Sequence, residues 1–502
     1  MSSLKKKENN LFKSVKKKKS YMKIKYYTIK DRIKFINKIK NGEIKISNLD
    51  LNFPLINIQN PKNKLTYLQN KKMHPDDILT FFSNNDNYKC EYLNKCLGKV
   101  GIPFKLSIKN LNKKLFLKLS YIRKRNIDFF LREKNCINND CLNLINIKEQ
   151  YDVMNKYELN LLKNTNLPKE EKEKKKKRLL ENSEKLDFLI KKKDLEKDND
   201  NDTDNNNHNE NEKNIILANY AENRLIFLFE ELVLNFNTPH LILPIISYKT
   251  SFKNLNIDNL TIFNNSKKNM MDFNKYSIFE DVTLYLTEWC DNDTLSSFLN
   301  INREKFIKNP YLWNNLLFQL IYTLTVIQLK YPNFRHNDLH LGNILVSSYY
   351  TKGFNLYKIK LENKVYEYYI PNVGFQIKLW DFDWACLEPD IINIKALMAK
   401  KNMKNRTYDL FFILSKIEVN YKKIMENNYK TEHLLFFEDY RKDIKPEDIM
   451  IKDNHNKVLK TNKETEIAES ILLYHSIKNK YSLFYNYLNK DKVDKITEIF
   501  QF

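Results

Sequence analysis

The chain is predicted to be α+β, with a small lobe built on an antiparallel sheet followed by a larger, mostly helical lobe. Three observations predict this. Short runs of alternating apolar residues crowd residues 89–120 and return at His240–Ile246 and Val282–Glu288, bounded by glycine, asparagine or proline. Apolar residues at helical spacing mark Ala221–Leu234 and residues 311–330. Beyond Asp409 the pattern is that of amphipathic helix as far as Phe502. A length of 502 residues implies two or three domains. The expected division is a basic tail and N-terminal extension (1–85), the sheet lobe (86–290) and the helical lobe (291–502).

The elements follow in order. Residues 1 to about 20 hold two lysine blocks, Lys5–Lys7 and Lys16–Lys19, with no apolar stretch between them. They form a basic tail able to contact polyanions, a plain solvated tail being the blander alternative. Residues 21–85 alternate helical and extended patterns punctuated by Pro54, Pro61 and Pro75, and no role is assignable to them. Cys96–Phe104 holds Gly98 and Gly101, two of only six glycines, and the alternation continues through Leu106 and Ile108. A turn at 110–114 leads into Leu115–Ser120 as a paired strand. The backbone N–H groups of a glycine turn can cradle phosphates, although such turns are common without that function. Lys118 stands alone among apolar neighbours, so it needs an anionic partner unless it faces solvent from an edge strand.

From about 150 to 214 charge dominates. Residues 168–196 space Leu179, Leu180, Leu186, Leu189 and Ile190 as an exposed helix would. Asp198–Asn214 is nearly pure Asn, Asp and Glu and cannot offset the entropy lost on folding. This stretch is an expected insertion, partly disordered, within the first lobe. The helix Ala221–Leu234 ends before Pro239, and two buried strands follow. In 311–330 the apolar positions Leu312, Leu316, Leu317, Leu320, Ile321, Leu324 and Ile327 lie on one helical face. Another helix begins at Arg406 and carries Asp409 near its start.

Composition sets further bounds. A net charge of +24 points to acidic partners, with the extreme Lys and Asn usage of an AT-rich genome as the competing explanation. Six scattered cysteines do not make a disulfide framework. The pairs Cys90/Cys96 and Cys136/Cys141 miss zinc-ligand spacing, so free thiols in a reducing compartment are expected. No apolar run reaches about twenty residues and no signal-peptide pattern appears, so an intracellular, cytoplasmic protein with no membrane span is expected.

The chemistry concentrates in His336–Val346 and Trp380–Trp384. The first segment offers a carboxylate, Asp338, and a carboxamide, Asn343, on a tight loop; the second adds the carboxylate of Asp381. Phosphoryl transfer needs such a set, one group to orient a hydroxyl and two oxygen ligands for a divalent cation. Gly342 serves the backbone geometry of the loop. A polar turn between a helix and a hairpin would carry some of these residues, but not matching ligands on both segments.

At these residues the chain resembles the protein-kinase-like superfamily. HNDLHLGNIL resembles the catalytic loop H-x-D-x-x-x-x-N, WDFDWA resembles the D-F-G segment, and the strand around Lys118 resembles V-A-I-K. The resemblance implies Asp338 as catalytic base and Asn343 and Asp381 as ligands of Mg²⁺. It places Leu345 under the adenine of ATP and makes His336 a brace for the loop. Lys118 and the turn with Gly98 and Gly101 would hold the phosphates. Glu222 would pair with Lys118, with Glu230 and Glu231 as substitutes. Thr287-Glu288-Trp289-Cys290 would form the hinge, its backbone groups binding the adenine edge and Thr287 as gatekeeper. Asp409 resembles the aspartate that anchors the loop from below.

Two residues depart from the pattern of Ser/Thr kinases: His340 replaces a lysine and Asp383 replaces the glycine of D-F-G. Both look more like aminoglycoside- and choline-kinase-type enzymes and the divergent kinases of large DNA viruses. About 25 residues separate Asp383 from Asp409 and no A-P-E occurs, so the peptide-binding segment is short or remodelled. The resemblance therefore implies an ATP- and Mg²⁺-dependent phosphotransferase acting on a protein Ser/Thr hydroxyl, in a host cytoplasm or virion if viral. A small-molecule alcohol kinase and a pseudokinase scaffold are the alternatives.

Overall fold

The computed structural model describes residues 28–44, 71–72, 88–93, 101–108, 113–123, 127–128, 144–199, 215–216, 218–250, 277–349, 352–361, 364–398, 408–443, 451–452, 458–460 and 483–502. The basic tail, Gly98 and the Asn/Asp/Glu tract from 200 to 214 lie outside these residues, as do Cys96, Cys136 and Cys141. The first lobe is built on β1 (Tyr88–Tyr92), β2 (Gly101–Ile108), β3 (Lys113–Arg123), β4 (Pro244–Thr250) and β5 (Ser277–Glu288). Their spatial order is β4-β5-β3-β2-β1, with every neighbouring pair antiparallel. Lys71–Lys72 extends the sheet by pairing parallel to β4. In β3, Leu115, Leu117 and Leu119 are wholly buried on one face, while Lys118 and Ser120 are buried on the other. A strand buried on both faces needs cover on both sides.

The insertion between β3 and β4 differs from expectation. Instead of one exposed helix within a charge-dominated stretch, a helix pair forms: α2 (Leu144–Lys163) and α3 (Lys169–Asn199). They follow α1 (Ile29–Lys40), which belongs to the N-terminal extension. Tyr151, Met154, Leu179 and Leu186 are buried, and Asn155 Nδ2 donates to Leu179 O (3.3 Å) across the pair. α2 packs against β5, so few apolar residues suffice to hold a largely charged pair onto the lobe. Helix α4 (Ala218–Leu234) then lies against β3, β4 and β5.

The second lobe centres on α6 (Tyr311–Lys330), buried on every side from Leu312 to Gln328, as a helix at the middle of a core must be. Around it lie α5 (Leu295–Ile301), α7 (Tyr408–Met425) and α8 (Thr431–Asp443). Four strands follow the α6 loop: β6 (Ile344–Tyr349), β7 (Phe354–Leu361), β8 (Lys364–Pro371) and β9 (Gly374–Leu379). β6 pairs with β9 and β7 with β8, both antiparallel.

The C-terminus corrects the expectation of amphipathic helix to Phe502. The chain ends as strand β10 (Ile496–Gln501), parallel to β7. Its inward positions are Glu498 and Phe500, while Ile496 and Ile499 are exposed. A glutamate on the buried face hides the alternation by which a strand is read. Glu498 is satisfied there, accepting from Ile29 N (2.8 Å) and Tyr349 Oη (2.7 Å). No helix among the described residues is long and apolar enough to cross a membrane.

Candidate active site

Phe334–Arg335 pairs antiparallel with Cys386–Leu387, and β6 pairs with β9 so that Ile344 faces Leu379. These two ladders bring the loop 336–343 against Trp380–Asp383. Asp409, at the start of α7 and buried, holds the loop from one side. Its carboxylate accepts from His336 N (2.6 Å) and Asn337 N (2.8 Å). His336 Nε2 donates to Trp380 O (3.0 Å), and Trp380 N donates to Asn343 O (3.0 Å). Asn337 and Asp381 adopt left-handed backbone, with φ of 64° and 62°. Such conformations cost energy in non-glycine residues and concentrate at functional sites.

Within the loop, Asn343 Nδ2 donates to Asp338 O (2.8 Å), tying the carboxamide to the base of the carboxylate. His340 Nδ1 accepts from Gly342 N (3.0 Å), which leaves Nε2 as its donor, 3.8 Å from Asp338 Oδ2. A Cβ on Gly342 would come within 2.8 Å of His340 Cε1, so a larger residue here would push the histidine ring off its bond with Gly342 N.

Lys118 joins the two lobes. Its ammonium donates to both oxygens of Glu222 on α4 (2.7 and 2.8 Å) and to Asp381 Oδ1 (3.2 Å). Burial pulls the ammonium down, but Asp381, Glu222 and Asp383 outweigh it and hold Lys118 well above its ordinary range. Burial pushes Glu222 up to about 7 against the pull of Lys118. At Asp381 burial is outweighed by Lys118 and Lys395, so this carboxyl lies below its usual range. Gly101 opens β2, where a Cβ would meet Lys118 Cε at 2.7 Å. What this glycine visibly provides is room for the lysine stem.

Of the hinge residues, Thr287 is buried and pairs with Phe116 across β5 and β3. The Glu288 side chain turns to the back of the hinge, where it accepts from Arg32 of α1 and from Leu243 N (2.9 Å). Its backbone is engaged as well: the N–H donates to Leu243 O (3.1 Å) and the carbonyl accepts from Thr287 Oγ1 (3.2 Å). Cys290 is buried and its thiol is pushed up to about 12, chiefly by burial. Leu345 is half-buried on β6, where it bridges to Thr294. Of the described cysteines, Cys90, Cys290 and Cys386 are buried and outside any disulfide.

Several residues at the site escaped the sequence reading. Asp383 is paired with Lys395 in a buried contact, and Lys395 lies 4.4 Å from the Trp384 ring centroid. Asn393 Nδ2 ties the same turn, donating to Asp383 O (2.9 Å) and Ala385 O (3.1 Å). Lys395 stands alone in an apolar run, the same signal that marked Lys118. Arg32 left no such signal. Trp380 and Tyr285 flank the Lys118 ammonium and Phe116 packs on Trp380, a feature of tertiary packing that spacing does not reveal.

The donors fit Mg²⁺. Asn343 has spent its Nδ2 on Asp338 O, which leaves Oδ1 as the acceptor; the backbone bond from Trp380 N to Asn343 O (3.0 Å) brings the Asp381 segment against this loop, and both side chains offer hard oxygens. Among the described residues no group of three His, Cys, Asp or Glu is arranged to hold a metal ion. A two-donor site completed by phosphate oxygens is the usual form for Mg²⁺ with a nucleotide.

No family model matches the chain. A protein of Acanthamoeba polyphaga mimivirus named a putative serine/threonine-protein kinase is 32% identical over 211 residues, 39% of this chain and 44% of that protein. A second mimivirus protein of the same description is 30% identical over 128 residues, 23% of this chain and 31% of its own. The chain thus spans less than half the length of these curated relatives. The crystal structure of the BubR1 kinase domain aligns over 86% of this chain and 81% of its own at 11% identity and a TM-score of 0.25. Agreement that low carries no argument; the fold rests on the strand order, α4 and the loop geometry described above. On sequence and on the layout of its site, the chain resembles the protein-kinase-like superfamily, and within it the divergent Ser/Thr kinases of a large DNA virus.

Proposed function

We propose that the protein is an ATP- and Mg²⁺-dependent phosphotransferase whose acceptor is a Ser or Thr hydroxyl of a protein. One observation carries the reading: Lys118 bonds Glu222 of the sheet lobe and Asp381 beside the catalytic loop at once, with Asp338 and Asn343 alongside. In this reading Lys118 holds the α- and β-phosphates, and Asn343 and Asp381 hold Mg²⁺. The bound cation would neutralise charge on the phosphates. Asp338, its carboxylate partly exposed, orients the acceptor hydroxyl and takes its proton on a carboxylate oxygen. Asp409 and His336 keep that carboxylate in place through the backbone. The relatives' names favour a protein acceptor, whereas His340 and Asp383 favour a small alcohol.

Asp338→Asn and Asp381→Asn are expected to lower γ-phosphate transfer by about 10³-fold or more, with melting temperatures near that of the parent. Radiolabel transfer onto basic and acidic test proteins, set against choline- and aminoglycoside-like alcohols, measures both activity and acceptor class. Full activity in either variant would refute the mechanism. A second reading, a binding scaffold without catalysis, draws on the contact between Phe116 and Trp380, whose ring centroids are 4.9 Å apart where a base would enter. Thermal stabilisation by ATP and Mg²⁺ counts against a scaffold that binds no nucleotide, and phosphate transfer counts against any scaffold.

A further inference from the structure

Two aromatic rings, Tyr285 and Trp380, flank the Lys118 ammonium, and a third, Phe116, packs on Trp380. Register decides which they are: Lys118 pairs with Tyr285 and Phe116 with Thr287, and all four point to the same face of the sheet. Trp380 rises to meet that face from the second lobe. Its indole contacts Phe116 edge-to-face at 4.9 Å and Tyr285 at 6.1 Å, and its centroid lies 5.7 Å from Lys118 Nζ. Trp380 is only 8% exposed. If the proposed function holds and a base sits between β3 and Leu345, it needs the space that the Phe116–Trp380 contact closes. Phosphates drawn to Lys118 meet an ammonium already enclosed by two carboxylates and two rings.

The backbone of Trp380 is held at both ends, its N–H by Asn343 O and its carbonyl by His336 Nε2. Moving the whole segment would break the contacts that keep Asp381 beside Asn343. The side chain alone can turn without that cost. A cation–π contact and one edge-to-face pair are each weak, so the closed rotamer is favoured by an amount that a bound nucleotide can overcome.

We propose that Trp380 is a side-chain gate over the nucleotide site, which swings off Phe116 and Lys118 to admit a purine nucleoside triphosphate and thereby sets its affinity. A purine is the fitting class because its fused ring can replace the indole against Phe116. The proposal rests on the reading of the site as a nucleotide site. A site open in only a fraction of molecules binds more weakly by that fraction, so removing the gate tightens binding.

The test is calorimetric titration of the full chain with Mg²⁺ and ATP, comparing the parent with Trp380→Ala, Trp380→Phe and Phe116→Ala. Trp380→Ala is expected to bind about tenfold tighter or more, with Trp380→Phe between it and the parent. Phe116→Ala, which frees the indole from its strongest neighbour, should shift affinity the same way and decides the matter if Trp380→Ala does not fold. The indole emission lost in Trp380→Phe should change in the parent as ATP saturates. Equal or weaker binding by a folded Trp380→Ala or Phe116→Ala overturns the gate and leaves the nucleotide site standing. Absence of ATP binding by the parent and all three variants overturns the nucleotide reading, and the gate with it.

Discussion

Lys395 and Asp383 form a buried pair just past Asp381, the proposed metal ligand, and the energetics of such pairs are lopsided. Removing one partner leaves the other charged in a poor solvent, at a typical cost of about 3–5 kcal/mol. Lys395→Met is therefore expected to lower unfolding free energy by about 3 kcal/mol in urea titration. Asp383→Asn in the same background should recover much of that loss; strictly additive effects would show that the two groups do not act as a pair. The pair also explains how aspartate occupies a position where the D-F-G segment it resembles has glycine: its charge is balanced within the turn by Lys395. Lys118 could be found in the sequence because a lone lysine in an apolar strand needs an anion, and the motifs told where to look. Lys395 sends the same signal with no motif around it. Among the three glutamates of α4, spacing could not choose. Glu222 and Glu230 are eight residues apart and so lie within about 80° on one helical face. Position along the axis separates them, and that depends on how α4 docks: Glu222 reaches Lys118, while Glu231 reaches Lys330 (3.4 Å) in the second lobe.

At the scale of elements, β9 carries a lysine into the space behind the hinge. Lys378 is buried and donates to Pro239 O, with Arg32, Glu288 and Glu498 around it. Burial first, and then the charge of Arg32, bring its ammonium down to about 7. In the unfolded chain the same group titrates near 10.4. Between pH 7 and about 10.4 the unfolded state holds a proton that the folded state lacks, so stability attributable to this residue rises with pH across that window. Below pH 7 both states are protonated and the penalty is complete. Lys378→Met is expected to raise the melting temperature near pH 6–7 and to lose most of that advantage by pH 10. Pro239 O keeps a donor in the variant, from Arg32 Nη1 (3.0 Å). A destabilised variant at pH 7 would show that the lysine contributes more as a donor than it costs as a buried cation. Strands β2, β3 and β5 were legible because their alternation is clean and both ends are punctuated. β10 was not, since its inward residue is the charged member of a hydrogen-bonded cluster. The helix α2 was obscured because its apolar residues are not confined to one face: Tyr151 and Met154 are buried while Val153, Tyr157 and Leu161 are exposed.

Across the whole molecule, the two ends of the described chain meet behind the hinge. Thr28 caps α1 through a reciprocal bond with Asp31, and Ile29, Ile33, Ile36 and Ile39 bury its apolar face. From that helix Arg32 reaches four acceptors: both oxygens of Glu288, Pro239 O (3.0 Å) and Leu241 O (2.7 Å). Ile29 N meets Glu498 of β10, and Glu498 meets Tyr349 of β6 (2.8 and 2.7 Å). A segment that carried no assignable role in the sequence therefore fixes the end of β5, the strand that leads from one lobe to the other. Nothing in its composition announces this, because the partners of Arg32 are two backbone carbonyls and a glutamate some 250 residues away. Arg32 holds the Glu288 carboxyl below its usual range although burial opposes it. Without the guanidinium that carboxylate keeps, among the described residues, only Leu243 N as a hydrogen-bond donor. Arg32→Met is expected to weaken the region by about 3 kcal/mol, which raises amide exchange at Leu286–Cys290 roughly a hundredfold. Arg32→Lys should recover only part of the protection, since three ammonium protons on a flexible stem cannot match a planar fork across four acceptors. Hydrogen exchange read by mass spectrometry measures this directly. If protection at Leu286–Cys290 survives in Arg32→Met while α1 exchanges freely, the helix is an appendage and the hinge is held by the sheet alone.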